Sequence, residues 1–116
     1  MALHEDQIAM CRRYGAIFEE TRHELMVGVS RNIETDVFPL HGLRHLAEGQ
    51  SCGWFLWRGD FSEADDFFQV VHASHLEKMC PDVLPYLGLA PGWRFQLAPD
   101  YADVWYDVKL LGVITP

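Results

Sequence analysis

The stretch Ser51–Asp60, which reads Ser-Cys-Gly-Trp-Phe-Leu-Trp-Arg-Gly-Asp, constrains the fold of this chain more than any other. Its central part, Cys52–Trp57, is a short apolar run that holds two of the four tryptophans, and glycines stand at positions 49, 53 and 59. Such a run, aromatic and bounded by glycine, is typical of a strand buried on both faces, although periodicity by itself also allows a buried helical segment. The run therefore predicts the centre of the core.

The length of 116 residues suits a single domain spanning residues 1–116, which is long enough to bury roughly two thirds of its unfolded surface. The net charge of −8 argues against a nucleic-acid partner, because affinity for phosphates depends on clustered Lys and Arg. An acidic protein can associate quickly with a basic partner, and acidity also serves solubility alone. Both interpretations of the charge remain open at this point.

The remaining global features predict a cytoplasmic protein. The N-terminus lacks the basic start and apolar centre of a signal peptide, and no apolar run is long enough to cross a membrane. Cys11, Cys52 and Cys80 are odd in number and widely spaced, so they predict free thiols rather than a disulfide framework.

Three elements are predicted before the central run. Apolar residues at helical spacing, from Met10 to Phe18, predict a first helix over about Glu5–Thr21. Leu25–Val29 is compatible with a strand, and Asn32–Asp36 with a polar connection. Leu40, Leu43 and Leu46 then recur three apart between Pro39 and Gly49, which predicts a short second helix with His41 and His45 on one face.

The second half of the chain mixes helical and strand signals. Asp60–Asp66 predicts an acidic loop, and Ser74 followed by Glu77 predicts a capped helix that begins at His75. Pro81 opens a further helical segment that ends at Gly88, and strands are predicted at Trp93–Leu97 and Val104–Tyr106, separated by a turn at Pro99-Asp100. The pattern indicates an α+β domain whose small, mostly antiparallel sheet packs against two to four helices.

Candidate chemical sites are weak. A zinc site built from His72, His75 and Cys80 with His41 and His45 is conceivable, but the spacings match no known pattern. No nucleophile elbow, dinucleotide fingerprint or P-loop is present, so the sequence predicts neither an enzyme nor a cofactor or metal.

Aromatic residues are abundant after position 50. Core filling is the default interpretation, and the four tryptophans Trp54, Trp57, Trp93 and Trp105 are the predicted structural core. Because Trp and Tyr are also enriched at protein interfaces, one face of the central strand is an alternative groove for a partner or small molecule. Arg58 and Arg94 lie next to aromatics and are predicted to stack or form ion pairs within the fold.

Five segments in consistent order between about Gly49 and Leu111 resemble the immunity protein 33 domain family. They are Ser-Cys-Gly-Trp-Phe-Leu-Trp-Arg-Gly-Asp, Asp-Phe-Phe with a following His-x-x-His-Leu, Cys-Pro-x-Val-Leu-Pro-Tyr-Leu-Gly-Leu, Pro-Gly-Trp-Arg-Phe and Asp-Val-Trp-Tyr-Asp. Trp57-Arg58-Gly59 resembles the Trp-x-Gly motif of that family. Residues 1–48, with the first helix, strand and short helix, carry no matching motif.

The resemblance implies a non-enzymatic protein of a bacterial polymorphic-toxin system that binds and neutralises a cognate toxin in the cytoplasm. It implies no catalytic residues. If the toxin is basic, the predicted contact residues are the acids Asp60, Glu63, Asp65, Asp66, Asp100, Asp103 and Asp107. A small-molecule-binding or regulatory module and, less well supported, a metal-dependent enzyme using His72 and His75 are the alternatives.

Overall fold

The computed structural model describes residues 2–112, and its framework is one six-stranded sheet. The strands are β1 (Met26–Ser30), β2 (Leu40–Arg44), β3 (Ser51–Arg58), β4 (Phe68–His72), β5 (Trp93–Ala98) and β6 (Tyr101–Tyr106). The helices are α1 (Ala2–Tyr14) and α2 (Leu76–Met79), with 3₁₀ segments at Ala73–His75, Pro81–Tyr86 and Val108–Leu111.

The strand order is β4-β1-β3-β2-β5-β6. Only the β1–β3 pair is parallel among the described strands, and the other neighbours are antiparallel. The structure thus confirms the α+β class and the mostly antiparallel sheet. The central run from Cys52 to Trp57 lies inside β3, flanked on both sides by other strands, as a buried apolar strand requires.

The core lies between one face of the sheet and the helical segments. Alternate residues of β3, namely Cys52, Trp54 and Leu56, point into it, because successive side chains of a strand point to opposite faces. Cys11 of α1 and Val83 of the 81–86 segment belong to the same buried cluster. We call this side of the sheet the helix face and the opposite side the open face.

The first helix is shorter than predicted and ends at Tyr14 instead of Thr21. Gly15 adopts a left-handed conformation with φ 73°, the amide of Ala16 donates to the carbonyl of Cys11 at 2.8 Å, and the amide of Gly15 donates to Arg12 at 3.4 Å. These two bonds form a Schellman motif, which terminates a helix. The chain beyond it runs as a loop, and Phe18 forms an isolated bridge with Leu89.

The predicted second helix is wrong, because Leu40–Arg44 forms strand β2. Leu40, Gly42 and Arg44 alternate toward the helix face, where all three are buried. A strand is hard to recognise here because two of the three inward positions hold a glycine and a charged residue instead of apolar side chains. The spacing of the leucines therefore imitates a helical pattern.

Two further details differ from the sequence prediction. Strand β4 was not predicted, although Phe-Gln-Val-Val-His is a sequence that a strand accommodates well. A helical segment does follow it, but it begins at Ala73 and is capped by no side chain, so the capping box of Ser74 and Glu77 is absent. The segment from Pro81, the strand at Trp93 and the turn at Pro99-Asp100 are confirmed.

Candidate functional site on the open face of the sheet

The strand register defines which side chains share the open face. Residues paired across neighbouring strands project from the same side of a sheet. One such row crosses all six strands and consists of Val70, Gly28, Phe55, Leu43, Arg94 and Trp105. The next row includes Trp57, His41, Gln96 and Asp103.

A cavity of about 220 Å³ lies on this face above β2, β3 and β4. Its lining, which we call the aromatic basin, consists of Leu43, His45, Phe55, Trp57, Phe61 and Phe68. The rings pack edge to face, with centroid distances of 5.2 Å for Phe55 and Phe68 and 5.5 Å for Trp57 and Phe61. This geometry is the one that aromatic quadrupoles favour, so the basin has a defined shape.

Gly28 gives the Phe55 ring its position. A Cβ atom at Gly28 would lie only 2.6 Å from a ring carbon of Phe55. The absent side chain therefore lets the ring lie over β1, which is a common reason for glycine inside a strand. Phe68 then closes that side of the basin from β4.

The acidic loop, residues 60–66, borders the basin. Asp60, Glu63, Asp65 and Asp66 are all exposed, as the sequence predicts for a loop. Phe61 is 55% exposed, yet its ring contacts Trp57 and Phe68, which attaches the loop to the basin. The loop is also held where the Arg31 Nε donates to the Asp66 carbonyl at 3.0 Å. The acidic loop and the aromatic basin are thus joined through Phe61.

The structure does not bring the other three predicted acids to this loop. Asp100 lies in the β5–β6 turn and Asp103 on β6, which is three strands from β3 and therefore about 14 Å away. Asp107 accepts hydrogen bonds from the Lys109 amide and from Arg94 Nη1, both at 3.1 Å. The hydrogen bond from the Lys109 amide, and to a smaller extent the Arg94 guanidinium, holds the pKa of Asp107 below its usual value. This carboxylate therefore already has partners within the fold.

The four tryptophans have different environments. Trp54 is fully buried on the helix face, where its Nε1 donates to Thr21 Oγ1 at 3.0 Å. Trp57 is 5% exposed and lies on the open face, and Trp93 is half-buried against Tyr106. Trp105 is 39% exposed on the edge strand beneath the Arg94 guanidinium, so its prediction as a core residue is wrong.

The histidines do not assemble into a metal site. His41 stacks on Trp57 with a centroid distance of 4.8 Å, while His45 Nδ1 lies 3.1 Å from the Leu110 carbonyl oxygen. His41 lies on strand β2 and His45 directly follows that strand, so the two do not share a helical face. His72 and His75 are neighbours at 5.7 Å, but residues 2–112 contain no group of three potential metal ligands.

Two buried arginines organise the loops behind the sheet. Arg58 Nε donates to the Ile33 carbonyl at 2.8 Å, and its guanidinium stacks over Phe38, which confirms the predicted stacking role. Arg44, which the sequence analysis missed, is fully buried and donates to the carbonyls of Glu19 and Leu89 at 2.8 Å. No local signal distinguishes Arg44 from a surface arginine, because its acceptors are far away in sequence.

The fold and site define a one-sided α+β domain with an aromatic and acidic surface. A family model described as Imm33-like domain matches residues 6–107, and the chain belongs to this family. The match includes most of the N-terminal region that carried no recognised motif. No curated protein and no solved structure matches the chain. No helix within residues 2–112 is long and apolar enough to cross a membrane.

Proposed function

We propose that this protein is a non-enzymatic immunity protein that binds and neutralises a cognate bacterial toxin in the cytoplasm of the cell that makes it. The family assignment supports the class. The observation that carries the proposal is the open face, where the apolar basin shares Phe61 with a loop of four exposed carboxylates in a protein of net charge −8. Carboxylates placed in this way complement a basic toxin surface and occupy the electrostatic position of a nucleic-acid backbone.

A non-enzymatic role is supported by the environment of the candidate nucleophiles. Cys11, Cys52 and Cys80 are buried, and burial raises the pKa of each thiol. Because the thiolate is the reactive form, these cysteines are inert at neutral pH. They belong to the buried core, where the Cys11 thiol donates to the Gly88 carbonyl at 3.3 Å and the Cys80 sulfur accepts from Arg58 Nη2 at 3.5 Å.

The small volume of the aromatic basin argues against the alternative of a small-molecule-binding module. Pockets for metabolites and drug-sized ligands usually enclose about 300–1,000 Å³, and the aromatic basin is smaller, at about 220 Å³. Larger grooves near Arg31 and near Tyr86 are wide open to solvent. Stabilisation against heat by a metabolite in the absence of any protein partner would favour the alternative.

Co-expression with the toxin encoded by the adjacent gene tests the proposal. We expect the wild-type protein to restore growth and to bind the catalytically inactivated toxin domain. A variant with Asp60→Lys, Glu63→Lys, Asp65→Lys and Asp66→Lys should associate about 10- to 100-fold more slowly at low salt, because it reverses the steering field.

A matched control reverses four carboxylates elsewhere. Asp6, Glu48, Glu77 and Asp82 are also exposed, and their replacement by Lys changes the net charge equally. If steering depends on the acidic loop, the control should associate more rapidly than the loop variant at the same salt. Equal rates for the two variants would assign the effect to net charge, and wild-type affinity of the loop variant would remove the loop from the interface.

A further inference from the structure

We propose that the aromatic basin is the anchor point of the interface and receives one bulky apolar side chain that projects from a basic surface of the toxin. This inference rests on the proposed function and adds the chemistry of the partner. The basin is a preformed concave site whose mainly apolar walls come from strands β2, β3 and β4 and from the acidic loop. Interface energy is concentrated in such pockets, which a single large side chain of the partner fills.

The size and lining of the basin indicate one side chain rather than a larger ligand. Its volume of about 220 Å³ is below the range of metabolite pockets. Leu43 and four aromatic rings provide the walls, and the polar ring of His45 already has the Leu110 carbonyl as a partner through Nδ1. An aliphatic or aromatic side chain therefore meets mainly apolar atoms there.

The rim of the basin indicates that the surrounding partner surface is basic. Phe61 is both a wall of the basin and a member of the acidic loop, and it directly follows Asp60 in the chain. On the same face, Arg94 is neutralised by its ion pair with Asp107. Arg31 at the base of the loop supplies one positive charge against the four carboxylates.

The same charges disfavour a second copy of this chain as the occupant. A two-fold symmetric dimer presents the same surface on both subunits. Two acidic loops would then approach each other around the paired basins, and like charges at an interface repel. A basic partner would instead attract the carboxylates of the acidic loop.

Two basin variants and one control test the inference by binding kinetics with the inactivated toxin domain. Phe61→Ala removes a wall that is 55% exposed and therefore tolerates truncation. Leu43→Phe adds apolar area but reduces the volume of the cavity. It therefore distinguishes insertion of a side chain into the cavity from nonspecific apolar association with the surface. Val70→Ala truncates a residue of the same face that is 63% exposed and lies outside the basin.

We expect both basin variants to raise Kd by about tenfold or more, chiefly through faster dissociation, and the control to stay within about twofold. Circular dichroism and thermal unfolding should show that all three variants fold. If the wild-type protein protects cells and binds the toxin while both basin variants bind as tightly, the inference is wrong and the proposed function stands. Tighter binding by Leu43→Phe also overturns it.

A second measurement does not depend on the toxin. The peptide Ac-Lys-Lys-Phe-Lys-Lys-NH₂ should shift the NMR amide signals of Leu43, Phe55 and Phe61, whereas the matched peptide with Ala in place of Phe should not. Equal shifts from the two peptides, or shifts confined to other surfaces, would overturn the inference. So would a wild-type dimer in sedimentation that Phe61→Ala dissociates, since the occupant would then be a second copy. Failure of the wild-type protein to protect cells, with the peptide result intact, would instead contradict the proposed function.

Discussion

The two faces of the sheet contain similar residues and have different surroundings. On the helix face, Trp54 and Phe95 are covered by the helical segments and have essentially no exposed surface. On the open face, Phe55, Phe61 and Phe68 also pack ring against ring, but solvent reaches them and a cavity remains between them. Strand β3 contributes apolar side chains to both. The comparison shows that an apolar strand does not by itself distinguish a closed core from a solvent-exposed face, because the layer that packs on each face decides.

The tryptophans of β3 offer the largest test of this difference. Trp54→Ala should lower the free energy of unfolding by about 4 kcal/mol, because it leaves a closed cavity, and it also removes the donor to Thr21 and Leu87. Trp57→Ala should cost about 2 kcal/mol, because water and the neighbouring loop can fill the space. Urea unfolding monitored by far-UV circular dichroism measures both.

The control for this pair is Ile17→Ala, which truncates a residue that is 76% exposed and should change stability by less than about 0.5 kcal/mol. Equal costs for the two tryptophan variants would mean that the open face is as tightly packed as the helix face.

Alanine substitutions at two glycines, one on each face, should each change stability by a smaller amount than the tryptophan substitution on the same face. A Cβ at Gly42 would lie 2.3 Å from the Phe95 ring on the helix face, and one at Gly28 would lie 2.6 Å from the Phe55 ring on the open face. We expect Gly42→Ala to cost about 3 kcal/mol and Gly28→Ala about 1 kcal/mol, because overpacking is relieved where a ring can move toward solvent. Thermal unfolding gives the order, and the reverse order would show that Phe95 has more freedom than Phe55.

The smallest effect concerns the pH dependence contributed by His41. Burial, with a smaller contribution from Arg94, lowers the pKa of His41 from its ordinary value of 6.5, while the main chain of Gly59 and Asp60 act in the opposite direction. The unfolded chain therefore binds this proton more readily than the folded one. The resulting stability is present above pH 6.5 and is lost as the pH falls from 6.5 through the lower pKa of the folded state.

His41→Gln removes this titration. The free energy of unfolding, measured in urea between pH 7.5 and 5.5, should fall less steeply for the variant than for the wild-type protein. The other histidines are unchanged and cancel in the comparison. A variant with the wild-type slope would show that the stacked ring of His41 titrates alike in both states.

Local patterns were sufficient for several elements. The apolar run of β3 and the Pro99-Asp100 turn between β5 and β6 are predicted from the sequence because their residue types locally favour a strand and a turn. The exposure of the four acids in the loop was predicted for the same kind of reason. The end of α1 was missed, although Gly15 was visible as a helix-stop signal.

Strand β2 shows why other features of the fold could not be predicted from local sequence patterns. Its inward positions hold Gly42, which makes room for Phe95, and Arg44, whose guanidinium binds carbonyls of residues 19 and 89. Each of these two residues can occupy its buried position only because its packing or hydrogen-bonding partner comes from a distant part of the sequence. A residue pattern read within ten positions cannot contain that information.

The sequence by itself determined the family, the acidic loop and the position of the central strand, because these depend on residue types and short spacings. Only the tertiary structure decided that Trp54 belongs to the core, that Trp57 lines a basin and that Trp105 lies at an edge. It also placed Phe61 against Trp57, which joins the acidic loop to the basin. The physical reason is that burial is a property of what packs on a face, and the packing partners come from the whole length of the chain.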